Sequence, residues 1–221
     1  MSGYAKRVLG TAVATVAVLA AIVLYITLYL TNVPGSVAAT STPLGAQLYL
    51  ATVPTAEKSD PHKTWVSFYA VNATAGNWRH DTTYEVPANS LVRITIYQFD
   101  SPSGLRNPFI SQVAGTVGGV MSIDGKLTRA IPPEEASHAF AIPQLGISVP
   151  LPGVEEEAKN ACEQAPCSLA NAHRTISVVI HTPGKGLYRW QCFVPCAAGY
   201  IQGFGGPMQT VGYMGGFLKV V

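Results

Sequence analysis

Charge is the property that this sequence has least of. Only 12% of its 221 residues are Asp, Glu, Lys or Arg, against about 25% in an average soluble domain. None of them lies between Arg7 and Glu57. A surface so poor in charge favours contact with partner subunits or lipid, or an acidic environment. The formal net charge of +2 comes without a basic cluster, so nothing supports nucleic-acid binding.

Signatures of the common hydrolases and nucleotide-binding enzymes are also missing. The chain has no HExxH pair for zinc, no glycine-rich phosphate loop and no serine nucleophile elbow. Glutamate runs at 134–135 and 155–157 are interpreted as solvated loop residues. We therefore expect no catalysis by this chain alone, which would be at most one subunit of a larger enzyme.

A long apolar run, in contrast, is present near the N-terminus. Val8–Leu30 contains 23 residues without a charge, and a helix of that length reaches about 35 Å, enough to cross a bilayer core. Lys6 and Arg7 precede it, which predicts a single-pass plasma-membrane protein with a cytoplasmic N-terminus and an extracytoplasmic C-terminal domain. The alternative is a signal peptide cleaved near Ser36–Ala39. Because signal-peptide apolar regions usually have about 7–15 residues, we favour the uncleaved anchor.

The remainder is interpreted as a single domain. We assign residues 1–31 to a cytoplasmic stub and transmembrane anchor, 32–47 to a linker and 48–221 to the extracytoplasmic domain. Short β-branched and aromatic segments between Gly/Pro turns predict strands at Thr64–Val71, Leu91–Tyr97, Thr175–His181, Leu187–Gln191 and Gly216–Val221. Helix signals are scarce, so the predicted fold is a mainly β, antiparallel Greek-key β-sandwich after one transmembrane helix.

The four cysteines fall into two close pairs. Cys162 and Cys167 have no histidine or carboxylate at a familiar metal-ligand spacing, and we expect them to form a small-loop disulfide. Cys192 and Cys196 follow about fifty residues after His138, which enters an apolar strand. Two thiolates and an imidazole suit copper better than magnesium or calcium, which prefer oxygen ligands.

Five segments of the chain resemble the cupredoxin domain of subunit II of the haem-copper (cytochrome c or quinol) oxidases. They are Val86–Val92, His138–Ile147, Leu151–Gly153, Pro183–Cys196 and Met214–Val221. The resemblance implies a cupredoxin-like sandwich with a copper centre of the dinuclear CuA type. In that centre His138 would be an imidazole ligand and Cys192 and Cys196 the bridging thiolates. Val194 would offer its carbonyl, and Met214, or alternatively Met208, a thioether.

The chain departs from that family at the second histidine, whose position is taken by Tyr200. No histidine follows His181, which could replace the missing imidazole only if its loop folded back. We therefore expect a mononuclear copper site or a degenerate CuA site. The alternative is a metal-free domain in which Cys192 and Cys196 form a disulfide, because copper and disulfide formation compete for the same sulfurs.

The resemblance implies a membrane-anchored subunit of a respiratory or other redox complex that passes electrons through copper. Its partners would be other subunits of that complex, membrane lipid around residues 8–30, and a small redox protein as donor. A metal-free structural or docking subunit is the alternative, and periplasmic copper handling is a weaker one. Trp190 is interpreted as a core aromatic or as a contact between metal and partner, and Tyr213 as a contact to a neighbouring subunit.

Overall fold

A computed structural model describes residues 3–30, 35–43, 45–72, 76–155, 157–196, 206–208 and 210–221. The chain divides into two compact units, Met1–Gly35 and Ser36–Val221. In the first unit, α1 (Gly3–Tyr25) continues into a π-helical turn at Ile26–Leu30. By length and composition, Gly3–Leu28 is one helix that could cross a membrane.

The second unit is a sandwich of two sheets. Sheet I contains six strands in the order β1-β6-β14-β13-β10-β11, which are β1 (Ser36–Ala38), β6 (Thr83–Val86), β10 (Ala136–Ile142), β11 (Ile147–Pro152), β13 (Gly186–Gln191) and β14 (Gly215–Val220). Sheet II has eight strands in the order β5-β4-β3-β7-β12-β8-β9, with β2 beside β3. Its strands are β2 (Thr40–Thr42), β3 (Gly45–Val53), β4 (Ser67–Val71), β5 (Trp78–Arg79), β7 (Leu91–Gln98), β8 (Met121–Ile123), β9 (Lys126–Thr128) and β12 (Arg174–His181). Short 3-10 helices lie at Pro108–Ser111, Val117–Gly119, Pro133–Glu135 and Pro143–Leu145.

The core lies between the two sheets, and strands such as β7 contribute alternate residues to it. In β7, Val92, Ile94 and Ile96 are fully buried, whereas Leu91 on the opposite face is 45% exposed. Strand β12 pairs with β7 along its whole length and contributes Ile176, Val178 and Ile180 to the same core. The predicted mainly β sandwich with one N-terminal apolar helix is confirmed.

Strand direction is more varied than the sequence suggested. Three pairs within the described residues are parallel: β1 with β6, β6 with β14, and β3 with β7. The others are antiparallel, as predicted. Parallel neighbours need a crossover connection rather than a hairpin, and here the chain passes between the sheets before it returns. Such pairings join segments that are distant in sequence, so local patterns do not reveal them.

The predicted linker at residues 32–47 also needs correction. Strands β1 and β2 lie within it, and β3 begins at Gly45. Strand β1 pairs with β6, while β2 forms a hairpin with β3. These segments of small and polar residues show no apolar alternation. They form strands because their backbones pair with β6 and β3. The compact unit therefore begins at Ser36 rather than at residue 48.

A second, smaller core covers the other face of sheet II. It combines Ala51, Val53, Tyr69, Val71 and Phe99 with Cys162, Ala165 and Cys167. Cys162 and Cys167 form a disulfide, with Cα atoms 5.7 Å apart, as predicted. The loop that they close packs on β3 and β4, which explains why all five residues of β4 are buried.

Candidate metal centre

His138 lies in β10, whose seven residues are all buried. This strand pairs with β11 on one side and with β13 on the other. The register against β11 shifts between Ala136 and His138, and an irregularity of this kind re-aims a side chain locally. The imidazole is only 3% exposed, so it needs partners for both ring nitrogens.

The two cysteines lie in the loop directly after β13. The amide of Cys192 donates to the carbonyl of Met214 at 2.9 Å, which ties the loop to the start of β14. The Cys192 sulfur accepts the Ala139 N–H of β10 at 3.3 Å. Since β10 and β13 are neighbours, the fold places this loop beside His138.

The imidazole and the two sulfurs meet. His138 Nδ1 lies 2.8 Å from Cys196 Sγ and 4.0 Å from Cys192 Sγ, and the two sulfurs are 3.1 Å apart. All three atoms lie within 4.8 Å of one another. Both cysteines are free thiols, because a disulfide requires sulfurs about 2.05 Å apart. The alternative Cys192–Cys196 disulfide is therefore not formed in this structure. One nitrogen and two sulfurs form a donor set that fits copper.

Further donors predicted from the sequence surround this set. The carbonyl of Val194 lies 2.9 Å from Cys196 Sγ and 3.4 Å from Cys192 Sγ. The Met208 sulfur accepts the Cys196 N–H at 3.2 Å, which brings that thioether to the cysteine loop. Met214 is tied to the loop by its backbone carbonyl, and its side chain is fully buried in the main core.

Asp100 is a site residue that sequence reasoning missed. Its Oδ2 lies 3.0 Å from His138 Nε2. The carboxylate is itself held by the Ser101 N–H at 2.8 Å, and the Asp100 carbonyl accepts the Val154 N–H at 2.9 Å. A carboxylate on the second ring nitrogen fixes the orientation of a ligating histidine and leaves Nδ1 for the metal. Asp100 precedes His138 by 38 residues, so no linear motif connects them.

Burial and hydrogen bonding together shift the pKa values of all three residues. Burial alone lowers the pKa of His138, but its interactions with Asp100 and Cys192 outweigh that effect and raise the pKa to about 9. Burial raises the pKa of Cys192, and hydrogen bonds from Cys196 and His138 more than offset it, which lowers the pKa to about 5. The hydrogen bond to Cys192, with burial, raises the pKa of Cys196. The lowered pKa of Cys192 favours its thiolate, the form that binds metals.

The other candidates from the sequence do not join this group. His181 is the exposed last residue of β12, opposite Leu91. Among the described residues, the metal-ligand set contains His138, Cys192 and Cys196. Tyr200, at the position of the family's second histidine, lies outside the described residues.

The two aromatic residues considered as partner contacts are both enclosed by this chain. Trp190 is fully buried against Phe68, Tyr84 and Phe140, and its indole N–H donates to the Thr82 carbonyl at 2.9 Å. It is a core residue rather than a surface contact. Tyr213 is 8% exposed and packs against Trp65, so its interpretation as a contact to a neighbouring subunit is not supported.

We expect Asp100→Ala to weaken copper binding about 10–100-fold, the usual cost of losing the outer hydrogen-bond partner of a metal-ligating histidine. The substitution would remove the contact that orients the His138 ring, without removing any of the proposed metal ligands. Competition with a copper chelator measures the change. Asp124→Ala is the matched control, since that carboxylate pairs with Arg174 at 2.9 Å. Equal affinities for both variants would contradict an orienting role for Asp100.

Comparisons with known proteins find similarities at a low level. No family model and no curated protein matches the chain. Rusticyanin from Thiobacillus ferrooxidans is 14% identical over 86% of this chain and 85% of that chain, with a TM-score of 0.32. A structure of reduced rusticyanin is 15% identical over 86% and 87%, with a TM-score of 0.30. A haem-copper terminal oxidase dimer is 13% identical over 99% of both chains, with a TM-score of 0.28.

Likenesses of this size carry no argument about function. The chain's own residues show a β-sandwich of two sheets with a buried His–Cys–Cys cluster, and a separate N-terminal apolar helix.

Proposed function

We propose that this chain is a membrane-anchored, cupredoxin-like subunit of a redox complex that passes single electrons through a copper site. The observation that carries the proposal is the buried set of His138, Cys192 and Cys196, whose donor atoms lie within 4.8 Å. Copper bound there would supply a one-electron couple.

The protein itself would supply a rigid scaffold that positions the ligands and excludes water. His138 comes from a central strand of sheet I, and Cys192 directly follows a neighbouring strand. The Ala139 N–H bond to the Cys192 sulfur and the apolar packing around the loop would set the electron density on that sulfur, which is how proteins tune copper potentials. Burial of all three residues excludes water and limits rearrangement between oxidation states.

The donor set favours a mononuclear or degenerate CuA site. One imidazole, two thiolates, the Val194 carbonyl and one thioether are available among the described residues. Of the two methionines, we favour Met208 as the weak ligand, because its sulfur contacts the Cys196 amide. Met214 instead holds the loop through its carbonyl.

The cellular setting belongs to the same proposal. The apolar helix would anchor the chain in the plasma membrane with Lys6 and Arg7 on the cytoplasmic side, leaving the sandwich outside. Other membrane subunits would cover part of its charge-poor surface, and a small redox protein would serve as electron donor. Any oxidase activity would belong to the assembled complex.

A metal-free docking subunit is the second candidate function, and the single imidazole in the cluster favours it. In that case the fold would persist while Cys192 and Cys196 formed a disulfide in the oxidising compartment. Transient copper handling is a third candidate, since the same donors could release copper to an acceptor.

Copper loading of the full chain in detergent micelles tests these candidates. We expect metal analysis to find bound copper together with an intense visible band from thiolate-to-copper charge transfer. A colourless, metal-free protein without titratable thiols at Cys192 and Cys196 would support the docking subunit. Copper that binds but leaves rapidly to a competing chelator would support copper handling.

A further inference from the structure

Thr82, the residue directly before β6, is fully buried and contacts three distant parts of the chain around the candidate metal centre. Its hydroxyl accepts the Gly212 N–H at 2.9 Å. Its carbonyl accepts the Phe217 N–H at 3.0 Å and the Trp190 indole N–H at 2.9 Å. One residue therefore connects the start of β6 to β13, to β14 and to the segment that precedes β14.

The backbone of Thr82 also packs directly against β14. A side chain at Gly216 would not fit there, since its Cβ would overlap the Thr82 carbonyl oxygen. Strands β14 and β6 are parallel neighbours, with Phe217 opposite Thr83. The sheet and the close contact at Gly216 therefore fix the place from which the Thr82 hydroxyl holds Gly212.

The segment between Gly212 and β14 reaches the candidate metal donors through the backbone of Met214. The Met214 carbonyl accepts the Cys192 N–H at 2.9 Å, and the Met214 N–H donates to the Pro207 carbonyl at 3.0 Å. Pro207 is bonded to Met208, whose sulfur contacts the cysteine loop. A displacement of Met214 would therefore change the spacing between the Met208 thioether and the cysteines.

The turn at Gly212 depends on an acceptor from outside the turn. Gly212 has a φ of +112°, a backbone region that glycine adopts far more readily than other residues. Its N–H also points to the Gly215 carbonyl, at the longer distance of 3.2 Å. Without the Thr82 hydroxyl, this longer contact would be the remaining bond of that N–H among the described residues.

We propose that Thr82 is a positioning residue of the copper site. Its hydroxyl fixes the turn at Gly212 and, through Met214, the spacing between the Met208 thioether and the cysteine loop. The weak ligand of a copper–thiolate centre is one of the variables that tune its reduction potential. The inference rests on the copper function proposed above and concerns how the ligands of that site are held.

The next residue along the chain provides a matched control. Thr83 is equally buried, but its hydroxyl has no hydrogen-bond partner among the described residues. Thr82→Val and Thr83→Val each replace a buried hydroxyl by a methyl group of similar size. Since only the first substitution removes a hydrogen bond, the difference between the two variants isolates that bond. Thr82→Ser, which keeps the hydroxyl, is the conservative variant.

Amide hydrogen exchange in the metal-free full chain in micelles tests the hydrogen bond without copper. We expect slow exchange at Gly212 and Met214 in the unaltered chain. Thr82→Val should speed both about fivefold or more, the effect of losing one buried hydrogen bond. Thr82→Ser and Thr83→Val should leave both rates unchanged.

Two outcomes of the exchange experiment would overturn the proposal. One is an unchanged rate at Gly212 in Thr82→Val. The other is rapid exchange at Gly212 in the unaltered chain, a result that needs no variant and so decides the question even if Thr82→Val does not fold.

The effect on the site is tested with the copper-loaded chain. Thr82→Val should change the visible thiolate-to-copper bands and shift the reduction potential measured by voltammetry. Thr82→Ser should restore both, and Thr83→Val should keep the values of the unaltered chain. If Thr82 served stability alone, Thr82→Val would lower the unfolding midpoint and leave the bands and the potential unchanged, which would overturn the positioning role.

This proposal and the copper function fail in different ways. Bound copper with unaltered bands and potential in Thr82→Val would reject the positioning role and leave the copper function standing. An unaltered chain that binds no copper would reject the copper function and, with it, the effect of Thr82 on a copper site. In that case the exchange rate at Gly212 would still report whether Thr82 holds the turn.

Discussion

Cys192→Ser is expected to abolish the visible copper band and stable copper binding. Cys192 carries the thiolate of the cluster, since its pKa is lowered to about 5, and it accepts the Ala139 N–H. A serine hydroxyl has a similar shape but is neither soft nor deprotonated at neutral pH. The variant would keep a single sulfur donor, Cys196, beside His138. Absorption spectra and metal analysis after copper loading measure the loss.

Two further variants test whether the loss of copper binding is specific to this site. Cys162→Ser with Cys167→Ser removes the other pair, which forms a disulfide on the far face of sheet II, and should leave the copper band in place. His138→Ala should abolish the band as Cys192→Ser does. A full copper band in Cys192→Ser would show that the metal binds elsewhere and would refute the assigned site.

Trp190→Ala should lower the free energy of unfolding by about 3–5 kcal/mol, the usual cost of truncating a buried large aromatic. The indole is fully buried and contacts Phe68, Tyr84 and Phe140. Its N–H donates to the Thr82 carbonyl, so the variant also removes a buried hydrogen bond. Urea denaturation followed by near-ultraviolet circular dichroism measures the change.

The matched variant Trp190→Phe separates packing from the hydrogen bond. It keeps most of the ring contacts and should cost clearly less than the alanine variant. The Thr82 carbonyl would retain its bond from the Phe217 N–H. A loss below about 1 kcal/mol for Trp190→Ala, typical of a surface position, would contradict the central place of this residue in the core.

The sequence anticipated the features that depend on local pattern. Runs of β-branched and aromatic residues predicted strands β4, β7, β12, β13 and β14, and close spacing predicted the Cys162–Cys167 disulfide. The His138, Cys192 and Cys196 cluster was foreseen because the resemblance supplied a long-range pairing that spacing alone does not contain. Whether the cluster holds metal stays a prediction.

The features that were missed depend on contacts between distant segments. Asp100 reaches His138 only because β7 ends near the start of β10, and nothing in its neighbours marks it as a partner. Strands β1 and β2 lack apolar alternation and form by backbone pairing with β6 and β3.

The two cysteine pairs place opposite redox demands on one molecule. Cys162 and Cys167 must stay oxidised to hold their loop over the small core, while Cys192 and Cys196 must stay reduced to accept a metal. Both pairs are buried, so general reductants and oxidants reach neither easily. If copper occupied Cys192 and Cys196 first, those two sulfurs could not pair with each other, and the Cys162–Cys167 disulfide could form independently.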